Sequence, residues 1–229
     1  MNLSAIFISL LWFLSLSNPN PGTTIPSNPP ESTNSPEELV ESLAKKYENI
    51  PHLDALTLAL EGWEKLENEL EKPLLTVIDF TLPSTEKRLW VIDVEKQEIV
   101  LNSVVAHGRN SGELMAEKFS NTPESFQSSV GFYKTAETYQ GKHGYSLRLD
   151  GLEKGFNDKA RARAIVIHGA DYAREEFAKL TGRLGRSLGC PALPTELSAK
   201  VIDLIKDGSL LFIFGKDQNY LQKSSLIKA

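Results

Sequence analysis

Cysteine is nearly absent from this chain of 229 residues: Cys190 is the one thiol, so no disulfide can form within the chain and stability must come from the packed core. Histidine is scarce too, with four (His52, His107, His143, His168) at none of the paired spacings a structural zinc site uses. No metal and no cofactor are expected. A basic excess is also missing. The net charge of −5 gives a field that repels nucleic acid, which is excluded as a partner. No internal repeat is found. What remains is ordinary for a globular protein, with 41% hydrophobic and 24% charged residues and length for one good-sized domain plus an appendage.

Residues 1–17 (MNLSAIFISLLWFLSLS) read as an export signal. The apolar stretch from Ala5 to Leu16 is short for a membrane span and suits a signal-peptide core. Ser15 and Ser17 flank Leu16 in a small-x-small pattern, which places cleavage after Ser17 and leaves no stable membrane span. No lysine or arginine precedes the apolar run, so an uncleaved anchor is the alternative. The expected location is periplasmic or otherwise extracytoplasmic. Residues 18–35 are rich in Pro, Asn, Ser and Thr, cannot bury enough apolar surface to order themselves, and read as a disordered linker.

Ser35-Pro36-Glu37-Glu38 then opens a helix, with Ser35 as N-cap and Glu38 completing a capping box. Leu39, Leu43 and Tyr47 share one face. A second helix starts near Leu53 and carries Leu56, Leu60, Trp63, Leu66 and Leu70 before Pro73 stops it. Residues 36–72 are therefore expected to form a helical hairpin packed on the main domain, residues 73–229. From Leu74 the pattern turns to short β-branched runs: 74–80, 89–94, 99–105, 131–135, 145–149 and 164–168. Glycine-bearing loops separate them. Thr195 is expected to cap a late helix bearing Leu197, Val201, Leu204 and Ile205, and Leu210–Phe214 reads as a last buried strand. The fold class is mostly β with α, a β-rich sandwich or barrel-like core plus the N-terminal hairpin.

Cys190 follows Arg186-Ser187-Leu188-Gly189, and His168 ends the apolar run Ile165-Val166-Ile167. A free thiol is only a few per cent ionised at neutral pH; near-complete ionisation by a neighbouring imidazole corresponds to about 2 kcal/mol. His168 should sit rigidly at a strand end, and Gly169 leaves room beside it. Gly189 next to the nucleophile is expected to let backbone N–H groups point at an oxyanion. That is the chemistry of acyl transfer through a thioester.

Ile167-His168-Gly169 followed by Ser187-Leu188-Gly189-Cys190 resembles the signature of YkuD-type L,D-transpeptidases. Further stretches are similar to the murein L,D-transpeptidase catalytic-domain subgroup: His107-Gly108-Arg109-Asn110-Ser111-Gly112, Gly141-Lys142-His143-Gly144-Tyr145, Asn157-Asp158, and Gly185 through Pro191. The resemblance covers about residues 74–215 and implies a β-rich catalytic fold acting on peptidoglycan stem peptides. It implies that Cys190 attacks the carbonyl of the third stem residue, releases D-alanine and forms an acyl-enzyme, which an amine or water resolves. His168 would be base and then acid, and Gly189 part of the oxyanion hole. Arg186, Arg183, His143, His107 and Ser187 are the candidates for substrate contact, the guanidinium forks matching stem carboxylates.

Two positions depart from the usual signature. Leu188 stands where the family has histidine, and Pro191-Ala192-Leu193 follows the cysteine where it has an arginine. Arg186 and His143 are the candidates to replace those polar contacts. Two other readings stay open from sequence: an L,D-carboxypeptidase or other envelope cysteine amidase, and a catalytically silent wall-binding module. Oligomeric state is not encoded in any pattern found.

Overall fold

The computed structural model describes residues 35–227, so the expected export signal and all but the last residue of the expected linker lie outside the described residues. Ser35 caps helix α1 (Pro36–Lys46), its Oγ accepting the Glu38 N–H at 3.3 Å. Helix α2 (Leu53–Leu66) runs on into a 3-10 turn over Glu67–Glu69. The apolar faces of both helices are buried, α1 through Leu39 and Leu43 and α2 through Leu56, Leu60 and Trp63.

Eight strands follow as one mixed sheet. They are β1 (Leu74–Asp79), β2 (Leu89–Asp93), β3 (Glu98–Ser103), β4 (Gly131–Gly141), β5 (Gly144–Gly151), β6 (Val166–Gly169), β7 (Ala192–Leu193) and β8 (Leu210–Phe214). Their order is β3-β2-β1-β8-β4-β5-β6-β7, with the β1–β8 and β6–β7 pairs parallel and the others antiparallel. The chain beyond β3 returns to the far edge: Ala106 N–H donates to Ala192 O at 2.8 Å, and Gly108 bridges Ser187. The two edges therefore meet, and the sheet is nearly a barrel.

Strands β1 and β8 are buried on both faces. Leu211 and Ile213 point into a core shared with Ile78, Tyr133, Ile167 and helix α4 (Thr195–Ile205). Leu210, Phe212 and Phe214 point into the other core, with α1, α2, Trp90 and Phe132. The helical hairpin thus shares its core with the sheet. Gly62 explains the closeness: a Cβ there would lie 2.1 Å from the Phe132 ring. His52, the N-cap of α2, places Nδ1 2.9 Å from both buried Asp79 Oδ2 and Thr81 Oγ1, tying the helix start to the end of β1.

Thr195 does not cap α4. Pro194 holds the N-cap position, and the Thr195 hydroxyl donates instead to Asp171 at 2.9 Å. Two short helices escape the hydrophobic pattern, α3 (Glu175–Thr181) and α5 (Gln218–Lys223). Among the described residues no helix is long and apolar enough to cross a membrane.

Candidate active site

The turn that carries Cys190 is braced from three directions. Its backbone is pinned at Ser187, which donates to His107 O at 2.9 Å and accepts from Arg109 N–H at 2.8 Å. The Ser187 hydroxyl closes the turn, donating to Cys190 O at 2.6 Å and accepting the Gly189 N–H at 3.0 Å. Ser128 Oγ donates to Gly189 O at 3.2 Å and accepts the Gly108 N–H at 3.0 Å. Gly189 takes φ +126° and leaves no room for a side chain, since a Cβ would lie 2.9 Å from Gln127 O. That requirement for glycine is conformational. It also changes the expected role of Gly189, because its N–H is spent on Ser187 Oγ. The Cys190 N–H, by contrast, has no hydrogen-bond partner among the described residues.

Cys190 is half-buried. Its sulfur accepts from Val166 N–H at 3.5 Å and donates to Ala164 O at 3.7 Å. Burial pushes the thiol pKa up, while the Val166 N–H and the Arg163 charge pull it down.

His168 lies on β6 opposite Ala192 of β7 and is 2% exposed. Its Nδ1 is 2.9 Å from Gly169 O. A carbonyl only accepts, so Nδ1 carries the proton and Nε2 keeps its lone pair. Burial lowers the His168 pKa, so the ring is neutral near pH 7. His143, exposed in the two-residue turn between β4 and β5, stacks on it with centroids 4.4 Å apart. Gly169 is held close to α4, where a Cβ would meet Ser198 Oγ at 2.5 Å.

Cys190 precedes Ala192 by two residues, and Val166, whose N–H meets the sulfur, precedes His168 by two. Cys190 itself lies in the bend before β7, and two residues of extended chain span about 6.6 Å. Among the described residues no hydrogen bond joins them.

The other expected contact residues are placed differently. His107 is fully buried, with Nδ1 2.7 Å from the Arg88 guanidinium and Nε2 3.2 Å from Gly112 O. Both nitrogens are engaged inside the protein, so His107 is a structural histidine rather than a substrate contact. Ser187 is buried as the turn brace. Arg186 and Arg183 converge on Glu113, at 2.6 Å and 3.0 Å. Arg186 also lines a cavity of about 360 Å³ with Arg109, Glu113, Glu117 and Lys118; neither Cys190 nor His168 lines it.

Residues 48–214 match the family model described as the L,D-transpeptidase catalytic domain (YkuD_2). The chain belongs to that family. The match reaches back past the expected boundary at residue 73 and takes in α2, in keeping with the shared core. Among solved structures the domain is similar to the helical cell shape determining protein Pgp2 from Campylobacter jejuni, with 16% identity, 80% of this chain and 57% of that one covered, and a TM-score of 0.40. It is also similar to an L,D-transpeptidase from Mycobacterium smegmatis, with 13% identity, 62% and 59% covered, and a TM-score of 0.38. The chain thus spans less than two thirds of the length of either structure. No curated protein matches it.

Two neighbours of Cys190 in this L,D-transpeptidase domain escaped sequence reading. One is Tyr172, pushed up to about 12 by burial and by the Cys190 charge. The other is Arg163, whose signal in sequence was its position at the entry to the apolar run Ile165-Val166-Ile167: an arginine there must find acceptors.

Proposed function

We propose that this domain is an extracytoplasmic cysteine acyltransferase of peptidoglycan stem peptides. Cys190 is the nucleophile, His168 the general base and then acid, and the Cys190 N–H a donor to the oxyanion. The reading is carried by one observation: a lone half-buried thiol in a braced turn whose sulfur meets the start of β6, the strand that carries a histidine whose tautomer leaves Nε2 its lone pair. In the forward step Nε2 takes the thiol proton and sulfur bonds to the stem carbonyl carbon. The tetrahedral oxyanion then collapses, the C–N bond to D-alanine breaks, and His168 returns its proton to the departing amine. An acceptor amine attacks the thioester and yields a cross-link, restoring the thiol. Water in its place gives carboxypeptidase products. His143, stacked on the base at the exposed side, and the Arg186–Arg183 pair are proposed to contact substrate, the latter after Glu113 yields its place to a stem carboxylate.

A second reading, a catalytically silent wall-binding module, is favoured by the thiol resting on Ala164 O with burial raising its pKa. Mass spectrometry of muropeptides incubated with the protein separates the readings. Cross-linked or trimmed stems are expected from the wild type and none from Cys190→Ala, with the melting temperature nearly unchanged. Unaltered muropeptides with wild-type protein would leave only the silent module.

A further inference from the structure

One charged side chain at the site has no part in that scheme. Arg163 is half-buried in the segment leading into β6. Its Nη1 donates to Ser120 O at 2.7 Å and Ser129 Oγ at 3.2 Å, and its Nη2 to Gln127 O at 2.7 Å and Ser125 Oγ at 3.3 Å. All four acceptors are neutral, and among the described residues no carboxylate pairs with it. Gln127 O, which takes the Nη2 proton, is also the atom against Gly189, and Nη2 lies 3.4 Å from where a Gly189 Cβ would stand. The next residue, Ala164, takes φ +52°, a left-handed conformation unusual for a residue with a side chain. Its carbonyl is the one that meets Cys190 Sγ. One short segment therefore presents a cation, a carbonyl and the Val166 N–H to the same turn.

We propose that Arg163 is a positioning residue of the Cys190 site: its guanidinium clamps the 120–129 segment against the Gly189–Cys190 turn and supplies the unneutralised charge that favours the thiolate. The proposal rests on Cys190 being the nucleophile. A brace alone needs no charge, because neutral donors would satisfy the same four acceptors. The ionisable groups around the sulfur are Arg163 before β6 and Tyr172 after it, while His168, with His143 stacked on it, lies further along β6. Arg163 alone among them is a permanent cation.

The test is the pH dependence of Cys190 alkylation by iodoacetamide in the full chain, with folding checked by circular dichroism. Arg163→Gln should move the midpoint upward by about one unit, roughly tenfold less thiolate at a fixed pH below it, and Arg163→Lys should restore most of the loss. Equal midpoints in wild type and Arg163→Gln, or equal shifts in the Gln and Lys variants, would reduce Arg163 to a brace and overturn the proposal while leaving the nucleophile assignment intact. If Arg163→Gln does not fold, the wild type decides. A guanidinium near the sulfur with no carboxylate to neutralise it makes anionic iodoacetate gain on neutral iodoacetamide relative to a small-molecule thiol, and an unchanged ratio contradicts the charge. A thiol inert until the protein unfolds would remove both readings together.

Discussion

Rarity made the central residues legible. A single cysteine in 229 residues, beside glycine and downstream of a strand-end histidine, left few alternatives for the chemistry. The roles of their neighbours depended on distances that no local pattern encodes. Gly189 looked like an oxyanion donor and is instead the residue that permits φ +126° against Gln127. His107 looked like a substrate contact because it sits in a glycine-rich loop, but the closing of the sheet buries that loop against Arg88. Its burial has a measurable consequence. Burial and the adjacent Arg88 charge push His107 down to about 3, below the ordinary value of about 6.5 that the unfolded chain retains. Between those values the unfolded state binds more protons. His107 therefore contributes no penalty above about pH 6.5 and costs stability as pH falls, with a slope approaching about 1.4 kcal/mol per pH unit. Urea unfolding of wild type and His107→Gln from about pH 7 to about pH 4 should show a shallower decline in the variant. Parallel declines would mean that other groups set the acid response.

At the scale of elements, periodicity located both N-terminal helices and most strands because each buries a stripe or an alternating face. Leu39 and Leu43, then Leu56, Leu60 and Trp63, are those stripes. Polar segments were missed. The outer half of β4, residues 136–141, is half-buried to exposed, without an alternating buried face, and continues through its pairing with β5. Strand β7 is two residues long, too short for any alternation to register. Gly62 is the test of helix docking. It sits in mid-helix, where glycine costs about 1 kcal/mol relative to alanine, so propensity alone favours replacement. The Phe132 ring opposes it, since a Cβ added there would lie 2.1 Å from the ring. Gly62→Ala should therefore destabilise, by about 1–3 kcal/mol, despite the better helix former. A higher melting temperature in the variant would show that α2 does not bear on the sheet in this way.

For the molecule as a whole, sequence separated the hairpin from the β-rich part at residue 73, whereas the two share one core. A change of periodicity marks a change of element, and says nothing about where packing ends. Buried polar groups extend this unity to the C-terminal segment. The Glu153 carboxylate accepts from Phe132 N–H at 2.8 Å and Tyr220 OH at 3.0 Å, and from the Ser224 hydroxyl, joining β4 to α5 and the residue after it. The result is one frame in which β6 carries His168 and the 187–191 turn holds the Cys190 sulfur against the start of that strand. Intact-protein mass spectrometry after brief mixing with a tetrapeptide stem tests the central claim most directly. The account predicts a wild-type adduct equal to the stem minus D-alanine, mapped to Cys190 and slow to form in His168→Ala. Release of D-alanine by Cys190→Ala, or an adduct on any other residue, would contradict it.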